Sequence, residues 1–156
     1  MRIPEGEFTF ELMPAVIFGH PVTGTPRVID TPASEVDVLP TIAGLVGVPY
    51  INTTLGRDLL DSRFDPNRFA FTVDEHYREP KIGLITGEAY LQIPTGGGPT
   101  RWADLRGNGA TETAAEDPER ARTLERLCRG LYEASRWLMY HNSTQRNAPS
   151  QTSVTP

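Results

Sequence analysis

The stretch KIGLITGEAYLQI, Lys81 to Ile93, sets the frame for the rest of the chain. Lys81–Thr86 and Glu88–Ile93 are two runs rich in β-branched and aromatic residues. They flank Gly87 and read as paired antiparallel strands. Working outward, Phe69–Val73 (FAFTV) alternates and reads as another strand. Thr95–Thr100 (TGGGPT) is a turn, and Arg101–Leu105 (RWADL) a last short strand. Residues 106–116 are small and polar and are expected to be a mobile connection. The result is a small antiparallel sheet.

A long helix follows it. Asp117-Pro118-Glu119 is a helix start: a capping aspartate, proline in the first turn and an acid near the positive end of the dipole. Leu124, Leu127, Cys128, Leu131, Ser135, Leu138 and Met139 then recur at steps of three and four. The pattern predicts a helix to about His141, some 24 residues or roughly 36 Å. Leu131–Tyr140 has the character of an amphipathic partner helix, but docking on the chain's own sheet is the simpler expectation. From Ser143 to Pro156 the residues are Ser, Thr, Gln, Asn and Pro, and the composition predicts a disordered tail.

Ahead of the sheet, ASEVDVLPTIAGLVGVPY (Ala33–Tyr50) carries a second helix. Val38, Leu39, Ile42, Leu45 and Val46 fall on one face. Asp37 is expected to cap its first turn, with Pro40 at a position where the missing N–H costs little. Gly47 suits a left-handed C-cap and Pro49 ends the helix. Residues 51–68 read as a loop, with a turn of helix expected at Gly56–Asp61. Ala15–Gly19 (AVIFG) reads as a buried strand ending at Gly19-His20-Pro21. Residues 20–32 form a proline-rich loop in which Arg27–Ile29 is a short extended piece. By the residues alone this is an α+β unit, and it contains no internal repeat.

The totals fit one domain: 156 residues, 38% hydrophobic, with 14 glycines and 14 prolines that assign much of the chain to loops. A net charge of −5 argues against a nucleic-acid partner, which needs a basic footprint. Lys81 is the only lysine. The single cysteine, Cys128, excludes an internal disulfide framework and a cysteine-rich zinc site. No apolar stretch approaches the roughly 20 residues of a membrane span, and MRIPEGEFTFEL lacks the apolar core of a secretory signal. The sequence is that of a soluble chain without an export address, and its compartment is open.

Three histidines are candidates for chemistry. His20 follows a strand end, where α/β folds often place ligands; the simpler reading is a turn histidine. His76 sits in Asp74-Glu75-His76, but adjacent side chains on extended backbone point apart, so a solvated loop is the better reading. His141 ends the long helix, where a cation favours the dipole. Gly96-Gly97-Gly98 lacks the Lys-Ser/Thr of a phosphate loop, and neither HExxH nor GxSxG occurs. Cys128 lies on the apolar stripe and reads as packing. Asn52-Thr53-Thr54 and Asn142-Ser143-Thr144 match the glycosylation pattern, which is common by chance.

Four stretches, in order, carry a resemblance: MPAVIFGHPV (Met13–Val22), VIDTPASEVDVLPTIAGLVGVPY (Val28–Tyr50), NTTLGRDLLD (Asn52–Asp61) and LYEASRWLMYHN (Leu131–Asn142). Over residues 8–142 the chain resembles the C-terminal third of sulfatase-like enzymes of the alkaline phosphatase superfamily. The nearest branch is that of lipoteichoic acid synthase-like and phosphoglycerol transferase-like proteins of bacteria. The most specific element is the pairing of Asp-Val-Leu-Pro-Thr with Leu-Gly-Arg-Asp-Leu-Leu.

The resemblance implies an α/β fold: a C-terminal fragment of an alkaline-phosphatase-like domain over residues 1–142, with one late sheet strand, a packing helix, a small antiparallel sheet and a long C-terminal helix. In such enzymes a Thr, Ser or modified Cys is the nucleophile, and Asp, Glu and His hold one or two divalent ions, commonly manganese, magnesium or calcium. This chain has neither the Asp-His-Gly motif nor the Cys-x-Pro-x-Arg segment. The nucleophile and the metal ligands would all precede Met1, so no catalytic residue, metal ligand or cofactor is assigned. His20 is the one residue the resemblance places near substrate. The implied partner is the remainder of the catalytic domain or a neighbouring chain. Relatives act at the outer face of the cytoplasmic membrane or in the periplasm. The alternative is a non-catalytic structural or partner-binding module. A small independent hydrolase using His20 or His76 is a third reading, with no nucleophile or orienting partner evident beside either histidine.

Overall fold

The computed structural model describes residues 15–17, 28–74, 79–106 and 111–142. Its centre is a five-stranded antiparallel sheet in the order β1-β2-β3-β4-β5. The strands are β1 (Ala70–Asp74), β2 (Lys81–Ile85), β3 (Ala89–Pro94), β4 (Arg101–Asp104) and β5 (Thr111–Thr113). Each strand pairs with the next in sequence, so the sheet is a meander built from local connections. The β2–β3 connection closes through Thr86, whose N–H donates to the Ala89 carbonyl at 2.8 Å and whose hydroxyl takes the Ala89 N–H at 3.0 Å.

Register places Ile82 opposite Ile93, Leu84 opposite Leu91 and Trp102 beside Leu91, all on one face. The long helix α2 (Pro118–His141) covers that face and crosses β2. Ile82, Leu84, Leu91, Ile93 and Cys128 form the buried core, with Phe69, Phe71, Trp102, Leu124, Leu131 and Tyr132 packed around it. Asp117 caps the helix as expected, its carboxylate accepting the N–H groups of Glu119 and Arg120 at 2.9 and 3.1 Å. The predicted stripe is buried only in part. Leu127 is at the margin and Met139 is 76% exposed. The reason is length: a helix of about 36 Å outruns a sheet about 19 Å wide. The overhanging end is tied elsewhere, through Asn142 Nδ2, which donates to the Thr53 carbonyl at 2.9 Å.

The other face of the sheet carries a smaller buried cluster. Tyr90 and Ala103 are buried there, with Ile85 and Leu105 beside them. Tyr90 lies over Gly83: a Cβ on Gly83 would fall 2.7 Å from the ring and 2.4 Å from Thr72 Oγ1. Burial pushes the Tyr90 hydroxyl above its ordinary pKa, an effect that its hydrogen bonds to Thr72 and Gln92 offset in part. Replacing glycine within a strand usually gains backbone order, but here the clash decides the sign. Gly83→Ala is expected to cost about 2 kcal/mol, measured by urea unfolding. It should also displace the Tyr90 ring, read as a change in the near-UV circular dichroism.

Helix α1 (Val38–Val46) continues a 3-10 turn at Glu35–Asp37, and Gly47 closes it in the left-handed region, φ 66°, as the sequence predicts. Its orientation differs from expectation. Pro40 and Thr41 are the buried positions, while Leu39, Ile42 and Val46 are 60%, 43% and 58% exposed. The apolar stripe therefore does not pack on this chain's sheet. The strand expected at Ala15–Gly19 is corrected as well: Ala15, Val16 and Ile17 have no strand pairing and are exposed. Phe18 and Gly19 lie outside the described residues. Val28 and Ile29 form no strand. The helical turn expected at Gly56–Asp61 instead occupies Ser62–Asn67, as a 3-10 helix opened by the Asp61 carboxylate accepting the Arg63 N–H. Strand β5 lies in the segment expected to be mobile. It has no apolar residue, and what fixes it is its pairing with β4 and the Arg101–Glu112 ion pair at 2.9 Å. Residues 143–156, expected to be a disordered tail, lie outside the described residues.

Candidate functional site

A network of polar contacts joins the α1 segment to the loop that follows it. Asp37 is 1% exposed. It has helical backbone angles, φ −78° and ψ −16°, and its carboxylate does not cap the first turn of α1. One oxygen reaches back to accept the Ser34 N–H at 2.8 Å; the other accepts the Arg57 N–H at 2.7 Å, across 20 residues. Arg57 Nε stands 3.9 Å away. One turn on, Thr41 Oγ1 donates to the Asp37 carbonyl at 2.6 Å and accepts the Leu59 N–H at 3.0 Å. Two side chains, Asp37 at the entry to α1 and Thr41 within it, thus hold two alternate amides of the loop.

The loop is shaped for this contact. A Cβ on Gly56 would lie 1.8 Å from the Val36 carbonyl oxygen and 3.0 Å from Pro40, so only glycine allows the approach. Asn52 holds the loop's entrance: its amide donates to the Gly56 carbonyl at 2.7 Å and its oxygen accepts from Thr54 N–H and Oγ1. The Arg57 guanidinium sits 4.0 Å over the Phe69 ring and donates to the Phe69 carbonyl at 2.6 Å. Burial lowers the Arg57 pKa, and Asp37 opposes that shift. Ser34 Oγ accepts the Phe71 N–H at 3.1 Å, which ties the start of the α1 segment to β1. Beside the lock, Gly44, Gly47, Pro49, Tyr50, Asp58 and Phe64 line an open cleft of about 490 Å³.

Chemically the arrangement positions backbone. Asp37 is committed to two amides, Asp58 to the Leu60 N–H, and Asp61 to Arg63. Among the described residues no three His, Cys, Asp or Glu side chains come together to hold a metal ion.

His20 and His76 lie outside the described residues. His141 is where the sequence put it, at the end of α2, its ring stacked on Trp137 at 4.2 Å and its Nδ1 2.7 Å from the Trp137 carbonyl. Gly96-Gly97-Gly98 forms a turn that leads into β4, with Gly97 and Gly98 at positive φ. Cys128 is fully buried, and burial pushes its thiol up to about 12. At pH 8 only about one molecule in 10⁴ then carries a thiolate. A thiol reagent added to the native protein should react many-fold more slowly than with the chain in urea; equal rates would mean that Cys128 is accessible.

No family model, no curated protein and no solved structure matches this chain.

Proposed function

We propose that this chain is the C-terminal portion of a sulfatase-like hydrolase or phosphoglycerol transferase, and that its own contribution is structural. One observation carries the reading. The two stretches whose pairing makes the resemblance specific, Asp37–Thr41 and Leu55–Leu60, are bonded to each other through Asp37–Arg57 and Thr41–Leu59. A motif pair whose role is packing would have this arrangement. In the intact enzyme, metal-assisted sulfuryl or phosphoryl transfer through a covalent intermediate would use a nucleophile and metal ligands from elsewhere. In an alkaline-phosphatase-like domain, α1 would lie against the large sheet with its apolar stripe inward. The stripe exposed on this chain is what such a neighbour would cover.

The exposed stripe equally favours the second reading, a partner-binding module that completes a separate chain. The DNA upstream of the Met1 codon discriminates the two. An Asp-His-Gly motif in frame or one shift away, with a Thr/Ser/Cys-x-Pro segment farther up, supports the enzyme portion. A stop codon and ribosome-binding site directly before Met1 favour the module. Alone, the chain is expected not to turn over aryl sulfates or phosphates with manganese, magnesium or calcium. An activity that survives metal-free purification and disappears in His20→Ala would overturn both readings.

A further inference from the structure

We propose that the lock between α1 and its loop is a strap across the edge of the sheet, and that it keeps the β1 strand of a second copy from adding there. The sheet has two edges. The β5 edge is three exposed residues long, too short to be a good template. The β1 edge is longer, and the direction of its backbone groups can be assigned. The Phe71 N–H and the Phe69 carbonyl are bonded to side chains and not to β2. Direction alternates along a strand, so Ala70, Thr72 and Asp74 face β2, while Phe69, Phe71 and Val73 face outward. The β2–β3 hairpin gives the same answer. Thr86 N–H donates to the Ala89 carbonyl, which turns Ile82 and Leu84 toward β3 and leaves Lys81, Gly83 and Ile85 for β1.

Two side chains close the outward row. Ser34 Oγ accepts the Phe71 N–H at 3.1 Å, and Arg57 Nη2 donates to the Phe69 carbonyl at 2.6 Å. One carboxylate places both of them: Asp37 accepts the backbone N–H of Ser34 at 2.8 Å and that of Arg57 at 2.7 Å. The strap stops at Phe71, and Val73 beyond it is 45% exposed. With the strap lifted, the outward groups from Phe69 to Val73 form the row that an added strand pairs with. In a solution of this chain alone that strand is another β1. Antiparallel pairing about Phe71 sets Phe69 opposite Val73 of the second copy and Arg68 opposite its Asp74. These are the only charged residues between 68 and 74, and they meet with opposite sign. The contact is twofold and closes at a dimer. The inference rests on neither reading of the intact enzyme.

Sedimentation equilibrium of the full chain tests it in three forms: the wild type, the double variant Ser34→Ala, Arg57→Met, and that pair combined with Val73→Pro. The double variant removes both ties to the edge and keeps the Asp37 and Thr41 bonds within the strap. Proline is tolerated on an edge strand where the N–H faces outward, so at 73 it blocks an added strand and spares the β1–β2 ladder. The wild type is expected at 17.3 kDa throughout. The double variant should rise with concentration toward twice that mass with unchanged far-UV circular dichroism, and the triple variant should return to the monomer mass. Aggregation of an unfolded chain would not be cured by a proline at 73. Amide exchange reads the edge in the native fold: Phe71 should exchange slowly and Val73 rapidly in the wild type, and Ser34→Ala alone should speed Phe71 roughly tenfold. A double variant that stays monomeric, association that Val73→Pro leaves intact, a wild type that associates equally, or a wild-type Phe71 amide as fast as Val73 would each overturn the inference. None of these outcomes bears on the upstream DNA, so the two proposals fail separately.

Discussion

Asp37→Ala is expected to lower the stability of the chain by about 3 kcal/mol. The carboxylate is buried and accepts two backbone amides, Ser34 and Arg57, beside the Arg57 guanidinium. Hydrogen bonds to a charged group contribute about 1.5–3 kcal/mol each before their mutual dependence is counted. Removing the acceptor also leaves shielded N–H groups without a partner. For a chain of this length the loss corresponds to a fall of about 10 °C in Tm. Asp37→Asn keeps the shape but sets an amide NH₂ against one of the two donors, and is expected to cost nearly as much. If both variants melt within a degree or two of the wild type, the carboxylate does not hold the loop.

The second large effect belongs to Gly56→Ala. The added methyl would overlap the Val36 carbonyl oxygen, which is backbone within the helical segment and cannot rotate away. Either the loop lifts off α1, losing the Asp37–Arg57 and Thr41–Leu59 bonds together, or the segment shifts. The expected cost is about 3 kcal/mol, at the upper end for overpacking. Because the clash acts by opening the lock, Gly56→Ala and Asp37→Ala should not add. The double variant is expected to lose little more than either single one. Additive losses would place the two residues in separate structures.

Much of the architecture is legible in the sequence, and the reasons are local. The hairpin at Gly87 and the helix from Pro118 are each written by near neighbours: strand formers on both sides of a short turn, a capping aspartate followed by proline, and a stripe at steps of three and four. Helix α1 is also legible as a helix. Its orientation is not, because periodicity tells which residues share a face and not what lies opposite. Val38, Leu39, Ile42, Leu45 and Val46 define an apolar side, yet the side this chain buries is the one with Asp37, Pro40 and Thr41. A signal for that was present in Ser34-Glu35-Val36-Asp37, a serine three residues ahead of an acid, the spacing of a capping box. Read so, the segment begins at Ser34, and Asp37 is a helical residue with a carboxylate to spare for the loop.

Val16 and Ile17 fail as a strand for a related reason. A run that is apolar on both faces needs neighbours on both faces, and sequence composition does not say whether the same chain supplies them. β5 escapes notice because Thr-Glu-Thr has no apolar residue; its return beside β4 depends on a cross-strand ion pair that single-sequence patterns do not reveal. For the site, Asp37 stands out by its position, while Thr41, Gly56 and Arg57 acquire their roles only through contacts across 18–20 residues.

The most direct test of this account is amide hydrogen exchange at Arg57 and Leu59, followed residue by residue by NMR in the wild type, Asp37→Asn and Thr41→Val. If the polar edge of α1 holds the loop, both amides exchange slowly in the wild type. Arg57 then loses most of its protection in Asp37→Asn, and Leu59 loses most of its protection in Thr41→Val. Rapid exchange of both amides in the wild type, or protection that neither substitution changes, would contradict the lock on which the structural role rests.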